Sequence, residues 1–79
     1  RQCINNINLS ICYYRLNDDK SGVFYQNEAL KTAKQLEGVY EFYILYEELA
    51  LCFLDQEKFN KAIDYANMAF PYANQLKSY

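Results

Sequence analysis

The apolar residues of this chain recur every three or four positions in four separate stretches, and that helical period constrains the fold more than any other feature. Ile4, Ile7, Ile11 and Leu16 mark the first stretch, and Tyr25, Ala29, Ala33 and Leu36 the second. Tyr43, Tyr46, Leu49, Ala50 and Phe53 mark the third, and Phe59, Ala62, Ala66 and Ala69 the fourth. Each set lines one side of a helix. No stretch alternates with period two, so no strand is expected. The run Asn17-Asp18-Asp19-Lys20-Ser21-Gly22 has turn chemistry, and Asp55-Gln56-Glu57-Lys58 is a shorter polar break. Gly38 suits a helix C-terminus, where a left-handed backbone is often needed. The chain therefore reads as all-α: two antiparallel hairpins, about 2–37 and about 39–77, stacked within one domain spanning 1–79. Pro71 removes a backbone N–H inside the fourth stretch, which predicts a kink near Asn67 or a helix that stops and restarts.

The two hairpins share a pattern. Leu9-Ser10-Ile11-Cys12-Tyr13 matches Leu49-Ala50-Leu51-Cys52-Phe53 at an offset of 40. Ala29, Ala33 and Leu36 match Ala62, Ala66 and Ala69 at an offset of 33. The difference of seven residues falls between Asn17 and Phe24, which predicts a longer connection in the first hairpin. Two helix pairs repeating at this period mark a helical array, whose units bury their faces against one another.

Composition narrows the chemistry. The hydrophobic fraction of 52% fits a packed domain, not a disordered one. The net charge of −2, with Lys and Arg scattered, argues against direct nucleic-acid binding by this segment. The nine Tyr and five Phe, at helical spacing, read as packing groups. The chain has no His, which removes the usual zinc sets and His-based catalysis. Cys3, Cys12 and Cys52 have no disulfide or metal spacing and read as reduced, buried thiols of a cytoplasmic protein. Cys12 and Cys52 occupy equivalent repeat positions, which points to packing. Adjacent Glu47 and Glu48 diverge by about 100° on a helix, poor geometry for an acid/base pair. Asp18-Asp19 and Asp55/Glu57 lack the alternating oxygen ligands of a calcium loop. No enzyme activity, cofactor or metal is expected, and no apolar run approaches the length of a membrane span.

The stretch Tyr46-x-x-Leu49-Ala50-x-x-Phe53, followed by Phe59-x-x-Ala62, Ala66 and Ala69, resembles a tetratricopeptide repeat. The first hairpin matches more loosely, with Asn6 where an aromatic is usual and Leu36 where a small residue is usual. Asn8-Leu9-Ser10-Ile11-Cys12-Tyr13-Tyr14-Arg15-Leu16 and Asn27-Glu28-Ala29-Leu30-Lys31-Thr32-Ala33 resemble the repeats of peptide-pheromone regulators of Gram-positive bacteria, the Rap and Rgg/PlcR-like proteins. The resemblance implies a superhelix whose concave groove binds a short peptide, as the ligand-sensing part of a transcriptional regulator.

With Leu9, Ser10 and Tyr13 packed inward, helical geometry and the resemblance turn Ile7, Asn8, Ile11, Tyr14 and Arg15 toward that groove. Ile44, Glu47, Glu48, Leu51 and Asp55 follow from the third helix. An Asn8 amide can pair with both polar groups of a peptide backbone, and Arg15 can hold a carboxylate. The family variant that grips C-terminal carboxylates needs polar groups where this chain has Ile7, Ile11 and Leu51, so that activity is not expected. Arrays usually need about three repeats. The chain is therefore expected to be part of a larger repeat protein, or to cover its apolar end with neighbouring repeats or in a homodimer. A homodimerisation module with no peptide ligand is the alternative.

Overall fold

The computed structural model describes residues 2–77 as four helices: α1 (Gln2–Arg15), α2 (Asp19–Leu36), α3 (Val39–Asp55) and α4 (Phe59–Lys77). The fold is all-α, with no strand among the described residues. α1 pairs with α2 and α3 with α4 as antiparallel hairpins, and α3 lies on both helices of the first hairpin.

All three helix–helix connections use the same stop signal. Asn17, Glu37 and Glu57 adopt left-handed backbone, with φ of 63°, 50° and 59°. In each, the next residue's N–H reaches back five positions: Asp18 to Tyr13, Gly38 to Ala33 and Lys58 to Phe53. The left-handed residue before α3 is thus Glu37; Gly38 has φ −87° and is the N-cap that precedes α3. Asp18 caps α2 by accepting from the Ser21 N–H at 3.2 Å. Asp19 to Gly22 are already helical, so the expected long turn shrinks to Leu16, Asn17 and Asp18.

The two intra-hairpin connections are equal in length, which corrects the repeat register. The seven residues counted as extra have counterparts in the second hairpin, since α2 and α4 begin 40 residues apart, at Asp19 and Phe59. One offset of 40 relates the hairpins throughout: Asn17 to Glu57, Gly22 to Ala62, Tyr25 to Tyr65 and Ala29 to Ala69. Tyr25 stacks on Tyr13 at 5.5 Å and Tyr65 on Phe53 at 5.6 Å, the same contact in each unit. Burial agrees, since Gly22, Ala29, Ala62 and Ala69 are all covered.

α4 runs through Pro71 without a break. Losing one hydrogen bond and crowding the previous turn costs about 3 kcal/mol in a helix interior. Packing beyond the proline holds the last turns in place: Tyr72 stacks on Phe42 at 5.1 Å and on Tyr46 at 6.1 Å. Pro71 and Asn67 are exposed, so the Asn67 carbonyl that loses its donor can meet water.

The core lies between the hairpins. Cys3, Ile7, Ile11 and Tyr14 of α1, with Ala29 and Ala33 of α2, meet Leu45, Leu49, Cys52 and Phe53 of α3. Gly22 lets this happen. A Cβ there would lie 2.8 Å from the Tyr14 ring. The second hairpin has Ala62 at this position and Leu54 in place of the tyrosine. Gly22→Ala gains up to about 1 kcal/mol of helix propensity. Overpacking against the ring costs about 1–3 kcal/mol and wins. Urea denaturation should therefore show a net loss near 1–2 kcal/mol. In a Tyr14→Ala background the same change should become neutral or stabilising.

Candidate functional site

Three surfaces are candidates to receive a partner, and the second and third carry a depression. The first is the side of α1 and α3 predicted as a groove. α1 packs along α3, whereas the backbones of α2 and α4 do not approach each other. The pair of hairpins is therefore closed on the α1/α3 side and splayed on the other. Asn8 and Arg15 are exposed here, Leu51 is 49% exposed, and Ile44 and Glu48 are half-buried. Arg15 Nη2 meets Asp55 Oδ2 at 3.1 Å across the two helices. Both side chains are more than half in water or nearly so, at 50% and 59%, so the pair contributes at most about 1 kcal/mol and its arginine remains open to exchange.

Three predicted groove residues do not belong to this face. Ile7, Ile11 and Tyr14 are 0%, 9% and 4% exposed. α3 covers them, so they form the joint between hairpins. The inward orientation expected of the α1 neighbours holds for Ser10, whose hydroxyl donates to the Gly22 carbonyl at 2.7 Å. Leu9 is 40% exposed, because nothing covers that flank of α1. For the same reason Cys12 is exposed while its counterpart Cys52 is buried, which corrects the expectation of three buried thiols. Glu47 is half-buried and accepts a short hydrogen bond from the Tyr43 hydroxyl, which ties it to its own helix.

The second surface is the splayed side, where a cavity of about 340 Å³ opens between α2 and α4. Gln26 and Leu30 of α2, Leu45 and Tyr46 of α3, and Lys61, Asp64, Tyr65 and Met68 of α4 line it. A hydrogen-bonded chain spans the gap. The Tyr14 hydroxyl donates to Gln26 Oε1 at 2.5 Å, and Gln26 Nε2 donates to the Tyr65 hydroxyl at 3.0 Å. Burial, then the neighbouring Tyr65, pushes Tyr14 up to about 12. Burial also raises Tyr46, and the thiols of Cys3 and Cys52, above their ordinary values. The two buried thiols are therefore poor nucleophiles at neutral pH. Sequence reasoning missed this cavity. Gln26 was its signal, a polar residue where the corrected register has Ala66.

The third surface is the outer face of α3 and α4. Leu51, Leu54, Ile63 and Phe70 are 49%, 50%, 58% and 65% exposed. Ala50, Leu51, Leu54, Ala62, Ile63 and Ala66 enclose a depression of about 270 Å³ there. No group of three metal-ligating side chains occurs among the described residues, and no helix is long and apolar enough to cross a membrane. No protein-family model, curated protein or solved structure matches the chain.

The tyrosine chain has a pH signature. Below about pH 10 Tyr14 is protonated folded and unfolded; between there and about 12 only the unfolded chain ionises. Stability is therefore retained below pH 10 and lost as pH rises through the folded value. Urea midpoints measured at about pH 8, 10 and 11 should fall across that window. Tyr14→Phe should flatten the fall without abolishing it, since Tyr46 is raised in the same direction.

Proposed function

We propose that the chain is a protein-binding helical-repeat unit that receives a short, extended peptide along its α1/α3 face. It acts by binding, not catalysis. In the setting that the pheromone-regulator resemblance implies, it is the ligand-sensing part of a bacterial cytoplasmic transcriptional regulator. The supporting observation is the closed side of the hairpin pair, where Arg15 meets Asp55 between exposed Asn8 and half-buried Ile44 and Glu48. Asn8 there is engaged by no other described side chain, so its amide is free to pair with a peptide backbone. Arg15 offers a cation to a peptide carboxylate, trading Asp55 for it. The unit of 40 residues is longer than the tetratricopeptide period of about 34 and lies at the lower edge of the range of about 40–47 for two-helix HEAT and three-helix armadillo repeats. The likeness is thus to the hairpin motif more than to the standard repeat length.

The test is a titration of the isotope-labelled chain with a pool of short peptides carrying free C-terminal carboxylates. Amide shifts should concentrate around Asn8, Arg15, Ile44, Glu48 and Leu51. Asn8→Ala and Arg15→Ala should each weaken binding by about tenfold, the scale of one lost polar contact. Shifts confined to Gln26, Tyr46 and Tyr65 would move the site to the cavity between α2 and α4. No shift with any peptide would overturn the reading.

A further inference from the structure

Each hairpin has a receiving side and a covering side, and inside the chain only one of each is used. On the first hairpin the receiving side is Cys3, Ile7, Ile11 and Tyr14, with Leu30 and Ala33 from α2; α3 seals it. The offset of 40 maps these onto Tyr43, Glu47, Leu51 and Leu54, with Phe70 and Ala73 from α4. The change in burial is large: Ile11 is 9% exposed and Leu51 49%, Tyr14 4% and Leu54 50%. The second receiving side is open and apolar at Leu51, Leu54 and Phe70, with Glu47, held by the Tyr43 hydroxyl, in the place of Ile7.

The covering side shows the reverse. α3 seals the first hairpin with Leu45, Leu49, Cys52, Phe53 and Gln56. The matching α1 positions are Asn5, Leu9, Cys12, Tyr13 and Leu16. Three of them repeat the chemistry, Leu for Leu, Cys for Cys and Tyr for Phe. Leu9 and Leu16 are 40% and 73% exposed, and Cys12 is exposed. One molecule thus carries an open receiving side at one end and an open covering side at the other.

Charge agrees with this pairing. Inside the chain, Arg15 of the receiving hairpin meets Asp55 of the covering one. The same offset exchanges these two positions and inverts the charge. Across a repeated step, Asp55 of the receiving copy faces Arg15 of a second copy, again opposite in sign. Had position 55 been basic, the step would have set like charges together.

We propose that a second copy of this chain seats its first hairpin on the open α3/α4 face, repeating the stacking step found between the two hairpins. The contact is heterologous and leaves a free face at each end, so copies add into an open stack. It shares Leu51 and the Arg15/Asp55 positions with the peptide face, and Leu9, Cys12 and Leu54, which the peptide reading does not use, tell the two apart.

Sedimentation velocity on the 79-residue chain and two variants tests this. Leu54→Asp blocks the receiving side and Leu9→Asp the covering side. Both side chains are substantially exposed, and each variant is first checked for wild-type helicity. Wild type should grow beyond dimer as concentration rises. Each variant alone should be monomeric, and an equimolar mixture should form a one-to-one dimer, since each supplies the face the other lacks. Cys12 gives a readout without mutation: its reaction with a thiol reagent should slow by about tenfold or more on association, as burial removes access. A wild-type chain that stays monomeric at millimolar concentration overturns the proposal. So does self-association of Leu9→Asp alone, which would mean face-to-face pairing, or association that leaves Cys12 fully reactive.

Discussion

The two hairpins are joined at Tyr14, and the rest of the arrangement depends on how that side chain is held. Its ring rests on Gly22, where any Cβ would collide, and meets Phe53 edge-on at 5.0 Å. Its hydroxyl enters the Gln26–Tyr65 chain, and its carbonyl accepts from Gln56 Nε2 at 2.6 Å. One residue therefore contacts its own partner helix and is tied to both helices of the next hairpin. An aromatic at this point buries more surface than the Leu54 of the second unit and carries a polar tip that needs a partner. Gly22 and Gln26 are the compensating changes, one for the ring and one for the hydroxyl. All three differ from the second hairpin, so the asymmetry between the repeats is concentrated where the repeats meet.

Much of the fold could be read in the chain, and the errors have physical causes. Four helices and their apolar stripes followed directly from spacing, because burial of one side is what makes a short helix stable. The register of the second helices was misread because the small residues are nearly self-similar. Ala62 and Ala66 map onto Ala69 and Ala73 under a shift of seven residues, which is close to two helical turns. A stripe can slide by that amount and still fit. The connections break the tie, since Asn17 and Glu57 share a left-handed backbone and the same reach-back hydrogen bond. Asn adopts that conformation more readily than most residues, but Glu does not announce it as Gly would.

The candidate groove was legible in part for a related reason. On a repeat, a helix position is buried or open according to whether a neighbour covers that flank, and the sequence of one unit does not say which. Ile7, Ile11 and Tyr14 were assigned outward by analogy with an inward Leu9 and Tyr13, but α3 covers the first set and leaves Leu9 exposed. Asn8, Arg15 and Leu51 are exposed, whereas Ile44 and Glu48 are half-buried and Ile44 packs against the core. The cavity between α2 and α4 depends on the angle between hairpins, which is a property of the packed joint.

That angle links the two sides of the molecule. α1 and α3 are close because the joint of Ile7, Ile11 and Tyr14 is tightly filled by Leu45, Cys52 and Phe53. α2 and α4 stand apart because the space between them holds the Tyr46 and Tyr65 rings and is bridged by one glutamine. The stacked Tyr46 and Tyr65 rings stand on the open α2/α4 side while the α1/α3 side is closed, which makes a wedge, and a stack of wedges curves toward its thin edge. Asn8, Arg15, Glu48 and Asp55 lie on that edge. Curvature brings side chains from successive units closer there, as the contact between Arg15 and Asp55 already shows within a single step. The bulky aromatic layer behind the helices thus sets how closely the polar groups in front approach one another.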